Sequence, residues 1–113
     1  MNLKEQLTQL DGLVTQGKIL DAVDQFSHND ILTKDVKAEE VMGKARKMLE
    51  GFVNSIAKVN GITLLSSAFG DNVTMSEYII DFDMKDGSKL YWNEVIRRVW
   101  RDGKVINERY YQN

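Results

Sequence analysis

The chain has 113 residues, of which 42% are hydrophobic and 28% charged, so its size and composition fit a single domain over residues 1–113. It has no cysteine and only one histidine, His28, which excludes disulfides, thiol nucleophiles and multi-histidine metal sites within one chain. The formal net charge of -2 gives no overall attraction to nucleic acid or to anionic membranes. The start lacks the apolar run of a signal peptide, and no stretch is apolar for long enough to span a bilayer. We therefore expect a cytoplasmic protein with no membrane or nucleic-acid partner, no metal and no cofactor.

The first quarter of the chain has helical periodicity. Apolar residues recur at spacings of three and four between Leu3 and Val14, which predicts an amphipathic helix that Gly17 ends. A second, shorter helix is predicted between Ile19 and Phe26.

The next segment combines turn-forming residues with a long helical pattern. Residues 27–30 (Ser-His-Asn-Asp) predict a polar turn, and residues 31–33 predict a short strand or an extended link. Apolar residues then keep a helical spacing for about five turns, which predicts the longest helix over residues 36–58, with Asp35 at its start.

From Val59 onward the hydrophobic pattern alternates with a period of two, which is typical of strands. The predicted strands cover residues 62–69, 73–84, 88–101 and 104–112. Helices followed by an antiparallel meander define the α+β class, with N-terminal helices packed on a four-stranded antiparallel sheet.

The last hairpin turns at Asp102-Gly103, and its loop length decides which side chains of the final strand face inward. A two-residue loop pairs Trp100 with Val105 and puts Glu108 on the opposite face. A three-residue loop pairs Trp100 with Lys104 and puts Glu108 on the Trp100 face. We favour the three-residue loop, which also places Tyr110 of the last strand beside Glu94 of the strand before it.

Two segments carry a resemblance to a known family. Residues 17–30, GKILDAVDQFSHND, resemble the opening of nuclear transport factor 2-like and SnoaL-like domains, and residues 100–105 with 108–111 resemble their terminal hairpin. The resemblance implies a curved sheet wrapped around helices, enclosing an apolar cone. The family includes ketosteroid isomerase, SnoaL-type polyketide cyclases, dehydratases and non-catalytic binding domains, so the implied fold does not define the chemistry.

The catalytic set of the isomerase does not carry over to this chain. By position, its oxyanion tyrosine falls on Leu10 and its hydrogen-bonding acid on Ile96, neither of which can donate a hydrogen bond. Its general base falls on Lys34, with Asp35 one residue away. We therefore predict that this protein is not a steroid isomerase. Asp35 is the only candidate catalytic residue, either as a general base or as an N-cap.

One face of the strand over residues 88–101 mixes aromatic and charged side chains, which predicts an amphipathic pocket. The predicted pocket residues are Phe52, Tyr78, Trp92, Glu94, Arg98, Trp100, Glu108 and Tyr110. The charged members of this set either orient a polar ligand or form an internal ion pair or a solvated rim, and both alternatives stay open.

Two other groups of residues are interpreted as surface. His28 lies in the predicted polar turn without an evident catalytic partner. A basic cluster among aromatics is typical of single-stranded nucleic-acid sites, but a solvated outer face is favoured by the acidic net charge; its members are Arg97, Arg98, Arg101, Lys104 and Arg109.

The sequence thus predicts a small-molecule-binding domain of the SnoaL-like type with an aromatic-lined cone pocket, and it leaves open whether the protein is an enzyme. The alternative is a non-catalytic homodimeric interaction module. A homodimer is expected in either case, through outward-facing residues of the sheet: Tyr91, Val95, Val99 and Tyr111.

Overall fold

A computed structural model describes residues 2–34 and 39–112. In chain order the elements are α1 (Leu3–Thr15), α2 (Ile19–Phe26), β1 (Ser27–Lys34), β2 (Val41–Met42), α3 (Ala45–Asn54), β3 (Ile56–Phe69), β4 (Val73–Met84), β5 (Lys89–Arg101) and β6 (Lys104–Gln112). The six strands form one curved, open sheet in the order β2-β1-β6-β5-β4-β3. Only β1 and β6 run parallel, so the sheet is mixed. None of the helices in these two ranges is long and apolar enough to cross a bilayer.

The predicted α+β class is confirmed, but the predicted number of strands is wrong. The sheet has six strands rather than four, because the segment between α2 and α3 supplies β1 and β2. The turn predicted over residues 27–30 is also wrong, since these residues are the first half of β1. β1 pairs with β6 at Ser27, opposite Val105, and again from Leu32 to Lys34, with a register irregularity between Ser27 and Leu32.

The long helix predicted over residues 36–58 is shorter, since α3 covers only Ala45–Asn54. Before it, Met42 pairs with Leu32 in β2, and Gly43 takes a positive φ of 68°. After it, Ile56 already belongs to β3. The apolar spacing that predicted one long helix therefore covers three elements, which are β2, α3 and the start of β3. The N-cap of α3 is Lys44, so Asp35 does not cap this helix; Asp35 itself lies outside the described residues.

The end of α1 follows the predicted pattern at Gly17. The φ of Gly17 is 79°, and its N–H donates to the Val14 carbonyl at 2.9 Å. The N–H of Lys18 donates to the Leu13 carbonyl at 2.9 Å. These two bonds form a Schellman motif, which lets the chain reverse directly into α2.

The core lies between the helices and the concave face of the sheet. Alternate residues of β4 point inward, and Tyr78 and Phe82 are fully buried. Leu10 of α1 and Phe26 of α2 pack against this layer. The helices therefore cover the same sheet face that carries the mixed aromatic and charged residues of β5.

The terminal hairpin differs from the favoured prediction. Arg101 pairs with Lys104, so the loop has two residues, Asp102 and Gly103, with positive φ angles of 52° and 79°. This is the geometry of a type I′ turn, and the predicted three-residue loop is wrong. Three residues after Gly103 the strand contains a β-bulge at Ile106.

The bulge at Ile106 restores the inward orientation of Glu108. Val99 pairs with Asn107 while Trp100 pairs with Val105, so Ile106 is an extra residue in β6. Because side chains alternate along a strand, one extra residue moves the rest of β6 to the opposite face. Glu108 thus lies on the Trp100 face, as predicted, although the predicted cause was a longer loop.

Candidate functional site

A cavity of about 180 Å³ lies between the three helices and the concave face of the sheet. The helices contribute mainly apolar side chains, among them Leu10, Ala22 and Phe52. The strands contribute polar ones as well, so the cavity is apolar on the helix side and mixed on the sheet side.

Most of the predicted pocket residues lie in the wall of this cavity. Those that line it are Phe52, Trp92, Glu94, Arg98, Glu108 and Tyr110. Tyr78 and Trp100 lie on the same face of the sheet but are buried in the adjoining core. The Phe52 and Trp92 rings stack, with centroids 6.2 Å apart and planes 19° apart, so one part of the wall is a flat aromatic surface.

Trp100 has a structural rather than a lining position. Its indole Nε1 donates to Thr74 Oγ1 at 2.9 Å, and its ring packs in a T-shaped arrangement with Phe26, with ring centroids 5.8 Å apart. These contacts satisfy the only polar atom of the indole, so Trp100 holds α2 against the sheet.

A polar row crosses the sheet at one level of the cavity. Thr33 of β1 is opposite Glu108 of β6, and Glu108 is opposite Arg98 of β5. Arg98 is 5% exposed and Thr33 is 3% exposed. Neither Arg98 Nη1 nor Thr33 Oγ1 has a hydrogen-bond partner within the described part of the chain. Buried polar groups in folded proteins are nearly always hydrogen-bonded, so these two atoms form an unusual pair.

The carboxyl of Glu108 is engaged by Tyr110 rather than by Arg98. The Tyr110 hydroxyl donates to Glu108 Oε1. Across residues 2–34 and 39–112, no ion pair within 4.0 Å joins Arg98 to a carboxylate. Arg98 and Glu108 thus interact through their charges across the strands without a contact of that length.

Burial shifts the pKa values of Glu108 and Tyr110 in this part of the wall. It raises the pKa of Glu108, and the nearby Arg98 guanidinium lowers that pKa by less than burial raises it. Burial also raises the pKa of Tyr110 well above its ordinary value, and the adjacent Glu108 adds to the shift. The pair therefore favours its protonated forms in the folded protein.

We expect the change Glu108→Gln to alter how stability depends on pH. Because the pKa of Glu108 is raised in the folded state, the folded state binds the extra proton, and the wild type loses this contribution as pH rises through the folded pKa. The difference in unfolding free energy, wild type minus variant, should therefore fall as pH rises from about 4.5, the ordinary glutamate range, toward 7. Urea unfolding at several pH values measures this difference, and a difference that rises over that range contradicts the assignment.

Glu94 has a different neighbour from the one predicted. Gln112 lies opposite it and donates from Nε2 to Glu94 Oε1 at 2.7 Å, while Tyr110 lies opposite Ile96. The predicted Tyr110–Glu94 neighbourhood is wrong because the two-residue loop and the bulge shift the register. Glu94 is 5% exposed and lines the cavity.

Asp11 is a buried acid that the sequence reasoning missed. It is 4% exposed and accepts hydrogen bonds from Ser76 Oγ at 2.8 Å and from the Tyr78 hydroxyl. Burial raises the pKa of Tyr78 to about 12, although the positive charge of Arg98 opposes the shift. Asp11 lies four residues after Leu7 and three before Val14, so the helical spacing alone could have placed it on the apolar face of α1.

His28 and the outward-facing members of the basic cluster lie away from the cavity. His28 Nδ1 accepts from the Asp30 N–H at 3.0 Å in β1. The basic cluster divides, since Arg98 faces the cavity while Arg97, which pairs with Arg109, faces outward. The described side chains include no group of three metal-binding residue types placed to hold an ion. The role of Asp35 as a base stays a prediction.

Several solved structures have the same fold as this chain. A protein from Mesorhizobium loti assigned to the SnoaL-like polyketide cyclases superposes with a TM-score of 0.84 at 20% identity, covering 98% of this chain and 99% of that one. A nuclear transport factor 2-like protein of unknown function from Burkholderia xenovorans LB400 gives a TM-score of 0.73 at 21% identity, covering 97% and 81%. A protein with a ketosteroid isomerase-like fold from Catenulispora acidiphila, in complex with trimethylamine, gives a TM-score of 0.70 at 15% identity, covering 95% and 84%. No protein-family model matches the sequence, and no curated protein matches it significantly.

Proposed function

We propose that this chain, which has the nuclear transport factor 2-like fold of the SnoaL-like proteins, binds a small molecule in the cavity between its helices and its sheet. The observation that carries the proposal is the combination of an apolar cavity of about 180 Å³ with buried charged side chains in its wall. Ligand sites are typically concave, mostly apolar and equipped with a few polar groups that fix orientation. A wall built only for packing has no need of a buried arginine, because burying a charge is costly.

The wall offers separate surfaces for the two ends of such a ligand. The stacked Phe52 and Trp92 rings provide flat apolar area, and the row of Thr33, Glu108 and Arg98 provides polar atoms. Phe52 comes from α3 and the polar row from the sheet, so a ligand would contact both layers of the fold. Steroid isomerase chemistry is not part of the proposal, since Leu10 and Ile96 replace the family's hydrogen-bond donors.

A cavity-filling variant tests the proposal. Ala22 lies in the cavity wall and is 2% exposed, so Ala22→Leu adds three carbons to the space that a ligand would use. Fragments of about ten non-hydrogen atoms should bind the wild type in ligand-observed NMR, because a cavity of about 150 Å³ already admits benzene. The same fragments should lose binding to Ala22→Leu.

The matched control is Ala68→Leu, a change at an exposed position of β3. It should leave fragment binding unchanged. The proposal is wrong if no fragment binds the wild type, or if the fragments that bind it also bind Ala22→Leu with equal affinity.

A second candidate function, a homodimeric interaction module, is favoured by the outer face of the sheet. Tyr91 is 64% exposed and Tyr111 is 51% exposed, and both belong to neighbouring strands. Tyr111 lies opposite the half-buried Val95. Exposed aromatic residues beside valines are typical of surfaces that another protein covers.

We expect the wild type at about 50 μM to have twice the 13.0 kDa chain mass in light scattering, because an isologous interface would cover these tyrosines. Tyr111→Glu should shift it to the monomer mass, since the interface would bury an unpaired charge. Lys44→Glu, a charge change at an exposed site next to α3, is the control and should stay dimeric. A wild type with the monomer mass rules out the homodimer.

A further inference from the structure

We infer that the ligand of this cavity carries a carboxylate, which is held by Arg98 and Thr33 and attached to a small apolar body. The inference rests on the proposed function, because it names the class of molecule that the same cavity takes. It follows from which polar atoms of the wall are already satisfied and which are not.

The position of Arg98 is the main argument for a carboxylate on the ligand. Its side chain lines the cavity, it is 5% exposed, and its Nη1 has no acceptor within the described residues. Its neighbours across the strands are engaged elsewhere: the Thr74 hydroxyl accepts from Trp100, and the Glu108 carboxyl accepts from Tyr110. A buried guanidinium nitrogen without an acceptor is costly, and a carboxylate is the group whose geometry matches a guanidinium best.

Thr33 adds an independent donor on the other side of Glu108. Its Oγ1 is buried, lines the cavity and lacks a partner in the described ranges. The β1–β6–β5 register places it in the same row as Arg98, with one strand between them. The backbones of Thr33 and Arg98 are therefore about 10 Å apart. The long arginine side chain shortens the distance between the two donor atoms.

The acids near Arg98 have hydrogen-bond donors of their own. Glu108 and Glu94 of the wall accept from Tyr110 and Gln112, and Asp11, which does not line the cavity, accepts from Ser76 and Tyr78. In the described part of the chain, the two donors of the wall that lack a partner are Arg98 Nη1 and Thr33 Oγ1, and a ligand acceptor would satisfy them. An oxygen acceptor with negative charge satisfies both the hydrogen-bond demand and the charge of Arg98.

The cavity volume limits the body of the ligand. At about 180 Å³ it is slightly larger than an apolar cavity of about 150 Å³ that holds benzene. Benzoate, which is one ring and one carboxylate, is therefore a suitable probe. Benzamide is its neutral counterpart of nearly equal shape, and benzylammonium has the opposite charge.

Calorimetric titration of the wild type with these three probes and with toluene tests the inference. We expect benzoate to bind at least about tenfold more tightly than benzamide, because its bond to Arg98 is charge-assisted, and we expect benzylammonium to bind weakest. Benzamide or benzylammonium binding as well as benzoate overturns the inference but leaves the proposed function standing. If toluene binds and none of the three polar probes does, the inference is again wrong by itself. If toluene also fails to bind, the proposed function and the inference fall together.

Two substitutions test the named residues. Arg98→Met should weaken benzoate binding about 30-fold or more and leave toluene binding nearly unchanged. Thr33→Val keeps the shape and the strand preference of the residue, so it should fold normally and weaken benzoate about 3- to 10-fold. The control is Arg97→Met, which removes the neighbouring outward-facing arginine and should change nothing. Benzoate binding that keeps its full strength in both Thr33→Val and Arg98→Met contradicts the assignment. If Arg98→Met does not fold, the result for Thr33→Val alone decides the test.

Discussion

Insertion of one alanine between Ile106 and Asn107 should destabilise the protein by more than about 4 kcal/mol or prevent it from folding, because β6 would then hold one residue more than its bulge accommodates. With the inserted residue in the ladder, Glu108 and Tyr110 would turn to the outer face. Arg109 and Tyr111 would turn into the cavity, which places an uncompensated arginine charge next to Arg98. Urea unfolding followed by tryptophan fluorescence measures the effect.

The matched control for the insertion is Ile106→Ala, which keeps the number of residues and therefore the register. Ile106 is half-buried, so this change should cost only about 1 to 2 kcal/mol. If the insertion costs no more than the alanine substitution, the bulge does not set the register of β6.

The change Asp11→Ala should have the second largest effect, about 2 to 5 kcal/mol of unfolding free energy. It leaves the buried hydroxyls of Ser76 and Tyr78 without their acceptor, and each unsatisfied buried group costs about 1 to 3 kcal/mol. It also removes the only hydrogen bonds that the described side chains of α1 make to β4. Thermal and urea unfolding would measure the loss.

Two comparisons separate hydrogen bonding from simple truncation at Asp11. Asp11→Asn keeps an acceptor oxygen in the same place and should lose much less stability than Asp11→Ala. In a background with Ser76→Ala and Tyr78→Phe, the cost of Asp11→Ala should shrink, because the donors are gone. An unchanged cost in that background would show that the hydrogen bonds contribute nothing.

The sequence predicted the sheet side of the fold well and the middle of the chain poorly. The alternation in β4 and β5 follows directly from a period of two, since one face packs on the core. The two strands Ser27–Lys34 and Val41–Met42 have no such pattern, because they are defined by pairing with β6 and with each other. Pairing partners distant in sequence leave no local signal, so these two strands looked like a turn and the start of a helix.

The candidate site was predicted through residue type and face rather than through geometry. Glu94 and Arg98 were found because they alternate with aromatic residues on β5. Thr33 was not identified because its importance depends on a parallel pairing that nothing nearby in the sequence indicates. Asp11 was overlooked although it lies within the apolar face of α1, where a lone acid is itself a signal.

The orientation of Glu108 illustrates a correct conclusion reached from a wrong premise. The loop at Asp102-Gly103 has two residues, as the dipeptide favours, and it alone would have turned Glu108 outward. The bulge at Ile106 reverses that outcome. No local residue preference at Ile106 announces a bulge, so the register of β6 could only be read from the folded chain.

The most direct test of a small-molecule cavity is a titration of the ¹⁵N-labelled protein with toluene, followed through its backbone amide signals. We predict saturable shifts at cavity-lining positions such as Phe52, Trp92 and Ile96, with the exposed outer-face Tyr91 unaffected. Phe52 belongs to α3, whereas Trp92 and Ile96 belong to β5, so their common response would locate the probe between helices and sheet. The absence of saturable shifts, or shifts confined to the outer face of the sheet, would contradict the account.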